Sequence, residues 1–108
     1  MPQQISTPDN QSVSIQPTEL EDLVRRIFIY NGLSNPHAKL AAYGLVKASL
    51  RGVDSHGVAR VPMYCKRLRC KAANPHPEIT SIRVAPAVVQ IDGDNGLGLV
   101  VGNRGMAE

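Results

Sequence analysis

Residues 51–68, RGVDSHGVARVPMYCKRL, decide how the chain is read, because they crowd an aspartate, a serine, a histidine, an arginine and a tyrosine between two helical stretches. Gly52 closes the helix before them. Pro62 fits a helix only in its first turn, where the missing N–H costs nothing, so the next helix is expected to start near Val58 or Ala59 and to run through Arg60 to about Arg69. In that phase Arg60 and Tyr64, four apart, share one face, and His56 stands just ahead of the first turn on roughly the same side.

These groups match a small organic anion. A guanidinium is a planar, permanently charged fork for a carboxylate, a phenol can bond the same group, and an imidazole titrates near neutrality and can pass a proton. Ser55 adds a hydroxyl, and the neighbouring helix N-terminus offers backbone amides. The same residues also fit a plain structural role. Asp54-Ser55 is a common capping pair, and Arg60 and Tyr64 can lie over the helix pair with their tips in water. Spacing alone leaves both readings open.

Upstream, residues 1 to 16 (MPQQISTPDNQSVSIQ) show no sustained period and are expected to form a flexible tail. From Pro17 the pattern is helical, with Thr18 and Glu21 spaced as a capping box. Leu20, Leu23, Val24, Ile27 and Phe28 make one apolar stripe, and Asn31-Gly32 supplies a left-handed stop. Ser34 and Pro36 open a second helix, expected from about Asn35 to Arg51, with Leu40, Ala41, Gly44, Leu45 and Ala48 on its buried face. The short turn between the two helices implies an antiparallel pair.

Downstream, Asn74-Pro75-His76-Pro77 breaks the chain, and residues 79–84 and 87–91 read as two short strands around Pro86. Residues 92–96 form a turn, and a glycine-interrupted helix begins at Leu97, with no stop signal before Glu108. The fold class expected is α+β: about three helices, a short β-hairpin and the start of a further helix, with residues 17–108 as one unit.

At 108 residues there is room for one core, and 43% hydrophobic residues with 19% charged ones are globular proportions. The net charge of +3 is concentrated in Arg60, Lys66, Arg67, Arg69 and Lys71, a stretch without any acid. Only Tyr64 interleaves as an aromatic, so a solvated helix face is favoured over nucleic-acid binding. Cys65 and Cys70 diverge on a helix and read as reduced thiols of a cytoplasmic protein. No stretch has signal-peptide or membrane-spanning character. His56, Cys65, Cys70 and His76 lack metal-ligand spacing, so no metal is expected, and His37 reads as a solvated residue. Gly96, Gly98 and Gly102 resemble a dinucleotide loop only superficially. The spacing is wrong and no ribose-binding acid follows, so a tight turn and close helix packing are preferred.

The run Asp54-Ser55-His56-Gly57-Val58-Ala59-Arg60-Val61-Pro62-Met63-Tyr64, followed by Lys66-Arg67-Leu68, Asn74-Pro75, Asp92-Gly93, Gly96-Leu97-Gly98 and Val101-Gly102, resembles the amino-terminal part of the malate/L-lactate dehydrogenase family. Leu50-Arg51-Gly52 matches as well, and the likeness covers about residues 18 to 108. The resemblance implies a fold that is not of the Rossmann type. It also implies NAD(P)-dependent hydride transfer to and from small 2-oxo or 2-hydroxy acids, and a homodimer in the full-length form. It assigns Ser55, Arg60 and Tyr64 to the substrate pocket, Arg60 as carboxylate clamp, and His56 as a candidate acid/base. Most of the NAD or NADP site lies in parts of the family pattern beyond Glu108. Cys70-Lys71 stands where a small residue and glycine are usual, and Gly105 where alanine is usual, which weakens the last helix by about 1 kcal/mol. The competing class is a non-catalytic helical remnant or interaction module.

Overall fold

A computed structural model describes residues 3–6 and 12–108. Two short strands, β1 (Gln3–Ser6) and β2 (Ser12–Ile15), pair antiparallel. The flexible tail expected over residues 1 to 16 thus contains a strand pair, and the remainder of that expectation, at 1–2 and 7–11, lies outside the described residues.

Helix α1 (Pro17–Tyr30) begins at the proline itself. Gln16 is its N-cap without a side-chain bond, and the amide of Leu20 donates to the Gln16 carbonyl at 2.9 Å. The capping box expected from Thr18 and Glu21 is not used, because Pro17 already has helical φ and no N–H to satisfy. Leu20, Val24 and Phe28 are buried, Ile27 is partly buried, and Leu23 is exposed. The stop is the expected one: Gly32 takes φ +110°, and the amides of Gly32 and Leu33 turn back to the carbonyls of Ile29 and Phe28.

Helix α2 (Asn35–Leu50) is capped by Ser34, whose hydroxyl accepts from the His37 amide at 3.4 Å. Its buried face is wider than expected, with Ala38, Ala42, Val46 and Ser49 joining Ala41 and Leu45. The reason is its central position: α1 covers one flank, and α4 with the turn after Gly52 covers the other. Gly44 is only half-buried, yet a Cβ there would lie 3.1 Å from the side chain of Leu99.

Two single 3-10 turns, Asp54–His56 and Val58–Arg60, lead into α3 (Val61–Arg69), which buries Val61, Cys65 and Leu68. Strands β3 (Thr80–Ala85) and β4 (Val88–Asp92) form the expected hairpin, with Ser81 opposite Ile91 and an irregularity between Arg83 and Ala85. Helix α4 (Gly98–Ala107) lies against one hairpin face, where Arg104 donates to the Ile79 carbonyl and Ser81 to the Glu108 carboxylate at 3.0 Å. The opposite face carries the exposed Ile82, Val84 and Val88.

One side chain ties the hairpin exit to the loop after α3. The Asp94 carboxylate accepts from the Asn74 side-chain amide at 3.1 Å and from the Glu78 amide at 2.9 Å. Asp94 and Asn95 are both left-handed there, at φ 50° and 57°. Among the described residues, no helix is long and apolar enough to cross a membrane.

Candidate functional site

The DSHG turn is built outward from the end of α2. Gly52, at φ +80°, closes that helix, and the Val53 amide returns to the Ala48 carbonyl at 2.9 Å. The first 3-10 turn follows at once, with the His56 amide on the Val53 carbonyl at 3.0 Å. Gly57 is then extended, at φ −99° and ψ −150°, and buried against α2. The next amide, of Val58, donates to the hydroxyl of Ser49 at 3.0 Å. Beyond it the second 3-10 turn delivers Arg60 to the head of α3.

Arg60 is therefore the N-cap of α3 and not a residue within it. The expected helix start near Val58 is corrected to Val61, because residues 58–60 wind more tightly and leave Pro62 at the second helical position. The guanidinium folds back over the turn it follows. Its Nε donates to the backbone carbonyl of Ser55, and one terminal nitrogen lies 3.8 Å from the sulfur of Met63. The Ser55 hydroxyl and His56 Nδ1 are 2.9 Å apart. Three of the four expected site residues, Ser55, His56 and Arg60, are thus linked through two hydrogen bonds. The fourth, Tyr64, is partly buried and packs against the hydrophobic core.

Ser55 and His56 are exposed, and neither lines either of two concavities found on the α1–α2 flank among the described residues, of about 500 and 310 Å³. The turn is an open shelf. Most of the turn's backbone amides are engaged, those of His56, Gly57, Val58, Arg60 and Val61 being paired within the chain, so recognition falls chiefly to side chains. Arg60 suits that task, having no carboxylate partner among the described residues.

Sequence reasoning missed Ser49. It lies four residues after Leu45, on the buried stripe of α2, and is the one buried polar residue among those described, at 7% exposure. A small hydroxyl at an apolar position was the available signal.

Of the glycines after the hairpin, Gly93 and Gly96 serve close packing, whereas Gly98 and Gly102 face open space, so close packing does not explain those two. A Cβ at Gly93 would lie 2.9 Å from Val101, and one at Gly96 would lie 2.9 Å from Pro77. The Gly96 amide is paired to the Gly93 carbonyl. Among the described residues no group of three or more His, Cys, Asp or Glu is placed to hold a metal ion.

Residues 15–108 match the family model described as malate/L-lactate dehydrogenase. The chain is 40% identical over 98 residues to malate dehydrogenase from Pyrococcus horikoshii, covering 91% of this chain and 27% of that protein. It is 37% identical over 92 residues to L-sulfolactate dehydrogenase from Methanocaldococcus jannaschii, covering 85% and 27%. The solved structure of the Pyrococcus horikoshii enzyme superposes with a TM-score of 0.80 at 38% identity, over 96% of this chain and 28% of that one. This chain therefore spans little more than a quarter of the relatives it matches. The match over nearly its whole length, in sequence and in fold, shows that the chain belongs to the malate/L-lactate dehydrogenase family.

Proposed function

We propose that this chain supplies the carboxylate-gripping part of the substrate site of an NAD(P)-dependent dehydrogenase acting on small 2-hydroxy and 2-oxo acids. One observation carries the reading: the Arg60 guanidinium, unpaired with any carboxylate among the described residues, is tethered by Nε to the turn that also holds Ser55 and His56. With Nε engaged, the terminal nitrogens are the donors for a substrate carboxylate, and such charge-assisted bonds are the stronger class. His56 keeps Nε2 for exchanging a proton with the substrate's hydroxyl or carbonyl oxygen, while Nδ1 is held by Ser55. Tyr64 orients the bound acid. A bound nicotinamide would supply hydride acceptance and return, and the family resemblance puts the residues that would hold it in the part of the fold that this chain does not span. The reduced thiols suit a cytoplasmic protein, and the full-length form is read as a homodimer.

A second reading is favoured by the exposed cations Lys66, Arg67, Arg69 and Lys71, which carry no ion pair among the described residues. On that reading the chain is an interaction module docking acidic surfaces. Replacing the matched segment of Pyrococcus horikoshii malate dehydrogenase with this chain separates the two. A folded chimera that reduces nicotinamide with L-malate supports the dehydrogenase reading, and a folded chimera without turnover contradicts it.

A further inference from the structure

Between the two 3-10 turns only Gly57 is extended, and that single break decides where two hydrogen-bonding groups go. Were residues 54–60 one continuous 3-10 run, the Val58 amide would donate to the Ser55 carbonyl, three residues back. Instead it donates to the Ser49 hydroxyl at 3.0 Å, and the Ser55 carbonyl is left to accept from Arg60 Nε. We propose that Ser49 is the positioning residue of the DSHG turn: by taking the Val58 amide it frees the Ser55 carbonyl to anchor the Arg60 guanidinium.

Three further observations support this. Ser49 is buried on α2 beside Leu45 and Val46, where an apolar side chain would fit without desolvating a hydroxyl, so the acceptor is what the position uses. Gly57 lies so close to Ser49 that any Cβ would collide with its hydroxyl, which fixes the turn's approach to the helix. The anchored carbonyl belongs to Ser55, whose own hydroxyl meets the His56 ring, so one tether orders serine, histidine and arginine together. What the ordered turn is for rests on the proposed function; the ordering itself does not.

The test is nitrogen-detected NMR of the 108-residue chain, comparing wild type with Ser49→Ala and Ser49→Thr. The readouts are solvent exchange of the Val58 amide and of the Arg60 Nε–H. In Ser49→Ala both are expected to exchange at least about tenfold faster while Val24 and Phe28, deep in the core, keep their protection. Ser49→Thr, which retains the hydroxyl, should restore both. Unchanged Arg60 Nε–H exchange in Ser49→Ala would overturn the proposal, as would acceleration of all amides in parallel or a failure of threonine to rescue. Adding oxamate to wild type tests the anion grip separately. A shift of the Arg60 Nε–H resonance supports that grip, and no shift removes it while leaving the Ser49 result standing.

Discussion

A Cβ placed on Gly57 would sit 2.0 Å from the hydroxyl oxygen of Ser49 and 3.1 Å from its Cβ. The glycine is required by this approach and not by its backbone angles, since its φ of −99° is open to any residue. The two positions are one structural unit, and they set where the DSHG turn lies on α2.

Gly57→Ala should therefore destabilise the chain by about 1–3 kcal/mol, the range for overpacking a closed site. Ser49→Ala removes the atom of closest approach, so the double variant should lose less than the sum of the single losses. Chemical denaturation of the four proteins measures that coupling. Strict additivity would mean that the turn moves away from α2 freely.

Lys71 offers the opposite case. It stands directly after the C-cap of α3 with φ 65°, where its Cβ is strained, and the family resemblance places glycine at this position. Lys71→Gly should stabilise the chain by roughly 0.5–1 kcal/mol, as relief of left-handed strain exceeds the added freedom of the unfolded backbone. A thermal melt should rise by a few degrees; a fall would show that the lysine side chain holds a contact worth more than the strain.

The cysteines differ in reach. Cys70 is exposed, whereas Cys65 is buried between α3 and the core, and that burial raises its thiol above the ordinary value of 9.0. Iodoacetamide on the native chain should therefore label Cys70 alone near neutral pH, with Cys65 following only on unfolding. Because folding holds the Cys65 proton more tightly than the unfolded chain does, its contribution to stability is present below 9.0 and fades as pH rises through that range. Equal labelling of both thiols in the folded protein would contradict the packing of α3.

Much of this was legible in the residues. The stop signals at Gly32 and Gly52 act as read because glycine alone reaches φ +110° and +80° without cost. The Ser34 cap and the hairpin around Pro86 follow local chemistry in the same way. What could not be read depends on partners distant in sequence. The buried arc of α2 widens because α4 and the DSHG turn press on it, and Ser49 matters through an amide nine residues on. The start of α3 at Val61 differs from the expected Val58 or Ala59 because Pro62 tolerates either of two early positions, and the paired turns ahead of it are set by the tether to α2. The types and spacing of Ser55, His56 and Arg60 left a site and a plain structural role equally open, the family resemblance is what singled them out, and their arrangement as an exposed turn required the fold.

The most direct measurement is the KM for L-malate of the chimera carrying this chain, with Arg60, Arg60→Lys and Arg60→Leu compared. Loss of charge-assisted bonds worth about 1.5–3 kcal/mol should raise KM roughly 10- to 150-fold in Arg60→Leu, with a smaller rise when lysine keeps the charge. Kinetics that are the same for all three would show that this guanidinium does not hold the substrate, and the account of the turn as an anion grip would fail.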